Sequence, residues 1–281
     1  MSDNRSLAGK TAFITGGSGA IARYSAKWML RDGASVALMA RHLDALEKTK
    51  AELEQAVPGA RVEICAGDAR KVEDVKAALA KAYAIANRLD IVVPTVGGGA
   101  GYRPLLMYEV KHLMRDLEMN IVTAFIAVRY AVPMMTAGGS IVCISSTAAK
   151  MPFNGLLGYC AGKAGLESFI QTAAEELGPA NIRINAVRPG LTTSNNTGPL
   201  HQEPIHSKFV EQMPLGRTGV PDDIAAAVRY LAGPESSWVT GQSFAVDGGQ
   251  EMRRNPDLTF MMEDMFGKEA MQAVRRGKEP G

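Results

Sequence analysis

Short, nearly unbroken apolar runs alternate along the chain with longer stretches whose apolar residues recur every three or four positions. The first run, 11–15, is followed by a glycine-rich turn and an amphipathic segment over 21–30. Gly33 closes that segment, and 36–39 forms a second run. The unit then repeats. Helices are expected over 43–54, 72–86, 113–135, 158–177 and after Pro221; strands are expected over 62–66, 90–93, 140–145, 182–187 and 243–246. Strands that are apolar at every position, rather than at every second one, belong to a sheet covered on both faces, and alternation with helices makes that sheet parallel. The expected fold is α/β, a doubly wound parallel sheet of Rossmann type. One domain spans 1–249, and a C-terminal extension follows over 250–281. In that extension Leu258, Met261, Met262, Met265 and Phe266 recur at helical spacing, as in a packed stripe or, on a sharper reading, a lid over a substrate.

Composition narrows the function. A 46% hydrophobic and 21% charged chain of 281 residues is ordinary for a globular protein, and a formal net charge of +2, with the signs interspersed, argues against nucleic acid and against an anionic membrane. The start, Met1 to Arg5, has no apolar signal core, and no apolar run is expected to approach the ~20 residues of a membrane span. Three cysteines, Cys65, Cys143 and Cys160, show no metal-ligand spacing, so the chain reads as cytoplasmic, reduced and metal-free.

Candidate chemistry lies at two places. Tyr159 and Lys163 are four residues apart on an expected helix, hence on one face, and Ser146 precedes the tyrosine. An ammonium beside a phenol is expected to lower its pKa toward working pH, which equips the pair for acid–base chemistry on an alcohol or carbonyl. The turn Gly16, Gly17, Ser18, Gly19, Ala20, Ile21 joins the first strand to the first helix. Glycines there let backbone approach a pyrophosphate that the helix N-terminus then meets. The end of the second strand carries Ala40, Arg41 and His42 where an NAD site usually has an acid; a basic residue suits the 2′-phosphate of NADP. Asp68, after the third strand, suits an adenine amino group or a helix cap.

These features in this order resemble the short-chain dehydrogenase/reductase family, in its single-domain Rossmann-type branch. The likeness runs from about Leu7 to Gly249: Thr15-Gly16 and the glycine-rich turn, Asp68, Asn120, Ser146, Tyr159-x-x-x-Lys163, Asn185, Pro189-Gly190, the stretch 214–221, and Val246-Asp-Gly-Gly249. The resemblance implies that Tyr159 is the catalytic acid/base and that Lys163 tunes it and holds the nicotinamide ribose. It further implies that Ser146 polarises the substrate oxygen and that Asn120 supports a proton-relaying water. Cofactor contacts are implied for Gly16, Ser18, Gly19, Ala20, Ile21, Arg41, His42, Asp68, Ala69, Val96, Gly97, Tyr159, Lys163, Pro189, Gly190 and Thr192, the last through its backbone. Three positions depart from the family. Ala20 and Ala22 stand for glycines, Pro94-Thr95-Val96-Gly97 replaces an Asn-Asn-Ala-Gly, and Ser194 stands for a threonine. Proline removes a donor there, so a different link to the neighbouring strand is expected.

The implied activity is an NADP-dependent (alternatively NAD-dependent) oxidoreduction of a secondary alcohol or ketone. Apolar Met151, Pro152, Phe153, Leu156 and Leu157 suit a bulky lipophilic or cyclic, steroid-like carbonyl. A 3-oxoacyl thioester reductase, with Arg103, Lys111 and Arg115 at its mouth, is the enzymatic alternative; a non-catalytic nucleotide-binding scaffold is the alternative from another class. The resemblance also implies a homo-oligomer, a dimer or tetramer, built on the two long helices through Ile121, Phe125 and Val128 and through Leu166, Phe169 and Ile170.

Overall fold

The structure is a computed structural model that describes residues 5–280. The expectation made on Met1 to Asn4 lies outside them. Seven parallel strands form one sheet in the order β3-β2-β1-β4-β5-β6-β7: β1 Thr11–Thr15, β2 Ser35–Ala40, β3 Val62–Ala66, β4 Ile91–Val93, β5 Gly139–Ile144, β6 Ile182–Pro189 and β7 Ser243–Val246. Every sequence-expected strand is present.

Alternate strand residues face opposite helical layers. Phe13 of β1 joins a core with Val75 and Leu79 of α3 (Val72–Ala84), Ile126 of α5 (Thr123–Ala131) and Leu166 and Ile170 of α6 (Leu157–Leu177). Ala12 and Ile14 point the other way, toward Ala26 and Met29 of α1 (Ala20–Arg31), Leu46 and Leu53 of α2 (Leu43–Ala56), and Ile224 and Val228 of α8 (Pro221–Ala232). This double coverage is why the strands read as unbroken apolar runs. The chain winds outward from β1 to β3, then crosses back to β4. Thus β1 and β4 are neighbours whose connections run in opposite directions, and a crevice opens beyond their C-terminal ends.

The expected helix 113–135 needs correction. It starts earlier, with α4 (Val110–Leu117), passes through a π-helical turn at Glu118–Val122, and continues as α5 and a 3₁₀ turn at Val132–Met134. The whole run, Val110–Met134, is 25 residues long and holds an 18-residue stretch of mean hydropathy 1.2, enough by length and composition to cross a membrane, contrary to expectation. Its apolarity has a plainer cause: Ala124, Ile126, Ala127, Val128 and Ala131 are buried against the sheet, and α4 packs on α6. Val128, Leu166 and Ile170 therefore fill this chain's own core rather than an outward face. What remains outside is Val110, Met114, Val122 and Phe125, the last stacked edge-to-face on Phe169 with ring centroids 6.2 Å apart.

Beyond β7 the chain turns through Gly249 into α9 (Thr259–Phe266) and α10 (Lys268–Arg275), with α7 (Ile205–Val210) beneath. Leu258 of the extension is buried with Leu191, Phe209 and Met213, and Phe153, Phe260 and Met261 pack around them. Met262 is buried as well, its sulfur close enough to Gly155 that a β-carbon there would lie 3.0 Å away. Met265 stays exposed. Most of the stripe thus packs, in part on Leu191, Phe209 and Met213 and in part on the loop between Ser146 and Tyr159.

Candidate active site

At the end of β1, Gly16 takes a left-handed φ of +66°, and a β-carbon there would lie 2.5 Å from the Thr95 hydroxyl. A β-carbon at Gly17 would lie 2.7 Å from Leu38 Cβ. Glycine is therefore needed for both backbone conformation and close approach. Gly19 caps α1 in extended geometry, its N–H donating to Gly16 O at 2.8 Å. No acidic residue occupies the first turn of α1, so its partial positive charge is left for an anion. Ala20 opens the helix, and the Ala22 methyl is absorbed into the core, so the two departures from glycine fit. Pro94 donates nothing. The link it breaks is remade by Thr95, whose N–H donates to Thr15 Oγ1 at 3.2 Å and whose hydroxyl donates to Thr15 O at 2.6 Å.

A cavity of about 380 Å³ runs from this turn to the ends of β2 and β3, lined by Gly16, Ser18, Gly19, Ala20, Ile21, Arg41, His42, Asp68, Ala69, Val96 and Gly97. The expected nucleotide-side contacts meet there. A glycine cradle with no room for side chains, a helix start without acids and a basic far end fit a dinucleotide phosphate. Arg70 lines the same cavity, though an arginine two residues past the Asp68 carboxylate carries no motif that marks it in the sequence. It grips Asp68 through Nε and Nη2 and reaches Glu118 at 3.7 Å. The Arg70 hydrogen bond, aided by Arg41, lowers the Asp68 carboxyl to about 2. Asp68 is no helix cap: Lys71 takes the N-cap position of α3, and the Asp68 side chain closes a turn onto the Arg70 N–H at 3.0 Å.

A second cavity, of about 420 Å³, opens beside the first and shares Ile21, Thr95, Gly97 and Ser194 with it. Ser146, Tyr159, Lys163, Pro189, Gly190 and Thr192 line it, with Tyr102, Phe153, Leu156 and Phe209 as apolar walls. Gln250 and Asn255 also line it, joined at 2.9 Å, so the segment after β7 contributes to the wall. That contribution was missed, since neither residue lies on the apolar stripe. Thr192 is held by a bridge to Gly219, and its hydroxyl donates to Gly190 O.

Four polar side chains converge at the junction of the cavities. Ser146 follows β5, and its Oγ accepts from the Ala148 N–H at 3.2 Å. Tyr159 sits in the first turn of α6, close enough to Ser146 for the serine hydroxyl to favour its ionised form. Lys163, one turn on, is buried; its Nζ donates to Ile144 O at 2.7 Å and lies 5.8 Å from the Tyr159 ring centroid. Asn120, in the π turn, donates to Gly98 O at 2.7 Å and to Asp116 O at 2.8 Å, and accepts from the Gly98 N–H at 3.2 Å. A β-carbon at Gly97 would come within 2.9 Å of Lys163 Nζ and 3.0 Å of Asn120 Oδ1, so the two amino-acid heads share one small space. At Gly162 a β-carbon would lie 2.9 Å from that of Asn120, which is how α6 and the π turn approach so closely.

One electrostatic expectation is overturned. Burial raises the Tyr159 phenol above its ordinary value; the Ser146 hydrogen bond offsets part of this, while Cys160 adds to it. Burial lowers the Lys163 ammonium to about 8, against opposing effects of Cys143 and Glu167. Desolvation acts on both members of the pair and is the largest effect on each. Tyr159 is thus a neutral acid at ordinary pH. Among the described residues no group of three or more His, Cys, Asp or Glu is placed to hold a metal, and all three cysteines are free.

A family model described as enoyl-(acyl carrier protein) reductase matches residues 17–251. The 7alpha-hydroxysteroid dehydrogenase of Escherichia coli (strain K12) is 32% identical over 250 residues, covering 88% of this chain and 96% of that protein. Among solved structures, a short-chain type dehydrogenase/reductase from Mycobacterium ulcerans superposes with a TM-score of 0.90 at 30% identity, covering 94% of this chain and 98% of its own. A 7α-hydroxysteroid dehydrogenase complexed with NADH and 7-oxo glycochenodeoxycholic acid has a TM-score of 0.83 at 31% identity, with 89% of this chain and 97% of that one covered.

Proposed function

The chain belongs to the short-chain dehydrogenase/reductase family of NAD(P)-dependent oxidoreductases, and from that premise we propose that it interconverts a bulky, lipophilic secondary alcohol and its ketone, with NADP as the preferred cofactor. The observation that carries this reading is the meeting of Ser146, Tyr159, Lys163 and Asn120 where the nucleotide cavity opens into an apolar one. The bound nicotinamide gives or accepts the hydride. Tyr159 gives the carbonyl oxygen its proton in reduction and removes it in oxidation, and Ser146 hydrogen-bonds the same oxygen. Lys163 supplies positive charge beside them, and Asn120 steadies the Gly97–Gly98 floor. Tyr102, Phe153 and Phe209 suit a ring system, and the relative crystallised with 7-oxo glycochenodeoxycholic acid makes a steroid-like ketone the first choice for assay.

The preference for NADP rests on Arg41, His42 and Arg70 at the far end of the nucleotide cavity, where only Asp68 supplies a carboxylate and Arg70 neutralises it. The complex of the relative contains NADH, so the preference is read from this chain alone. A 3-oxoacyl thioester reductase is the second reading, favoured by the description of the matching family and by exposed Arg115 near α6; Lys111 is already paired with Glu109 at 2.9 Å. We read residues up to Gly249 as one α/β unit and the remainder as its extension. We place the enzyme in the cytoplasm, with free thiols as support, and read it as a homotetramer. Two separate faces favour four copies: Met114, Val122 and Phe125 on one, and the open edge of β7 with Phe244 near the exposed Trp238 on the other. Purified protein assayed with NADPH and NADH against steroid, aromatic and acyl-thioester carbonyls tests the whole: turnover of a cyclic ketone with NADPH is expected, and turnover confined to thioesters selects the second reading.

A further inference from the structure

Glu167 has no part in the four-residue constellation, yet it is built into the site. Along α6, Tyr159, Lys163 and Glu167 follow at four-residue spacing and so share a face. They engage the end of β5 in steps: Lys163 Nζ donates to Ile144 O at 2.7 Å, Ser145 Oγ donates to Glu167 Oε1 at 2.9 Å, and Tyr159 lies beside Ser146. Glu167 Oε1 also accepts from Ser243 Oγ on β7 at 2.7 Å and lies 3.7 Å from Arg188 Nη1 on β6. Arg188, buried, is at the same time clamped by Glu251 through two bonds of 2.7 and 2.9 Å. Two carboxylates thus share one guanidinium, and the balancing cation is the buried ammonium of Lys163.

Few charged or titratable groups face this region. Lys163 meets Cys143 of β5, Tyr159 and Glu167 of α6; Arg188 meets Glu167, Glu251 and Asp247. Asp116 of α4 is turned toward Gly158 and Tyr108. Glu167 is the carboxylate that acts on Lys163.

We propose that Glu167 is a positioning residue of the reaction: it fixes Ser145, and through it the neighbouring Ser146, and supplies the anion that faces the Lys163 ammonium from one turn further along α6. The proposal rests on the reading of Lys163 as part of the catalytic apparatus. Without the Glu167 charge, Lys163 loses its proton at lower pH, because of the two groups that offset its desolvation, Cys143 and Glu167, only Glu167 is a carboxylate.

The test separates ionisation from turnover. In protein carrying ¹³C-labelled lysine, the Lys163 resonance, assigned through Lys163→Arg, is titrated in wild type, Glu167→Gln and Glu251→Gln. The expected result is a midpoint lower by about one pH unit in Glu167→Gln, the scale of one nearby charge, and little change in Glu251→Gln, which touches Arg188 but neither Ser145 nor Lys163. On a verified substrate, Glu167→Gln should lower kcat and move the alkaline limb of the rate profile down in pH, leaving cofactor affinity unchanged. If Glu167→Gln does not fold, Glu167→Asp takes its place with a smaller shift in the same direction. An unmoved Lys163 midpoint, or an equal shift in Glu251→Gln, overturns the proposal even if the enzyme reduces ketones. Absence of turnover on every carbonyl with the midpoint shifted would instead count against the proposed substrate.

Discussion

Thr95 and Thr15 exchange two hydrogen bonds across the β1–β4 junction, side chain to backbone in each direction, at 3.2 and 2.6 Å. They stand where the strand ladder gives way to Pro94, and the Thr95 hydroxyl abuts Gly16 at the head of the nucleotide cavity. Thr95→Val keeps the shape and removes both the donor and its turn-holding bond. Loss of about 1–3 kcal/mol in denaturant-measured stability is expected, with weaker cofactor binding. Stability and binding both at wild-type level would show that the pair does not hold the turn.

Tyr159→Phe should abolish turnover while binding of NADP(H) persists, since only the transferable proton is removed. A general acid typically contributes ~10²–10⁴-fold. Retention of more than about a tenth of the activity on a verified ketone would assign the proton to another group.

The pH profile follows from Lys163. Its ammonium is lowered to about 8 by burial and so is present below that pH and lost above it, while the Tyr159 phenol, raised by burial, stays protonated throughout. For reduction, kcat/KM in the free enzyme should be flat near neutrality and fall as pH rises through about 8. A profile that rises across the same window would exclude the charged form of Lys163 as the active one.

Arg41→Ala should weaken NADP far more than NAD, by the ~1.5–3 kcal/mol of a charge-assisted phosphate bond. Arg70→Ala carries a second signature. The Asp68 carboxyl, lowered from 3.8 to about 2, contributes stability present above the higher value and lost as pH falls through the lower one. Wild type should therefore exceed Arg70→Ala in thermal stability near neutral pH, with the gap closing below about pH 2. Equal effects of Arg41→Ala on both cofactors would remove the basis for NADP preference.

Met262→Ala tests the extension. Emptying a buried methionine site costs about 2–5 kcal/mol when the surroundings cannot collapse, and Met262 sits against Gly155 in the loop that leads to Tyr159. A raised KM for the ketone with unchanged cofactor affinity is expected; a loss of stability alone would make the contact pure packing.

The sheet was legible because both-face burial writes each strand as an unbroken apolar run, and the glycine turn was legible because no other residue fits beside Thr95 and Leu38. The π turn was not: Glu118–Val122 follows an ordinary helical pattern, and only packing against Gly162 reveals the widened turn around Asn120. The Tyr159–Lys163 spacing was read correctly as one face, but spacing says nothing of depth. Desolvation of both groups reversed the expected direction of the tyrosine shift. Val128, Leu166 and Ile170 were misassigned for a related reason, since an apolar position on a long helix does not declare which of two covered faces it serves. Arg70 and Glu167 act through partners distant in sequence or already engaged, and neither carries a motif.

The order β3-β2-β1-β4-β5-β6-β7 also has a kinetic consequence. Every pairing in a parallel sheet closes across a crossover helix, and the central one, which the Thr15–Thr95 bond seals, joins residues 80 positions apart. Loop-closure entropy must be overcome before that seam yields any contact energy, so folding should be slow and should expose apolar strand edges on the way. Refolding at micromolar concentration should accordingly lose protein to aggregation, and added dinucleotide should raise the yield by trapping chains in which β1 and β4 have already met.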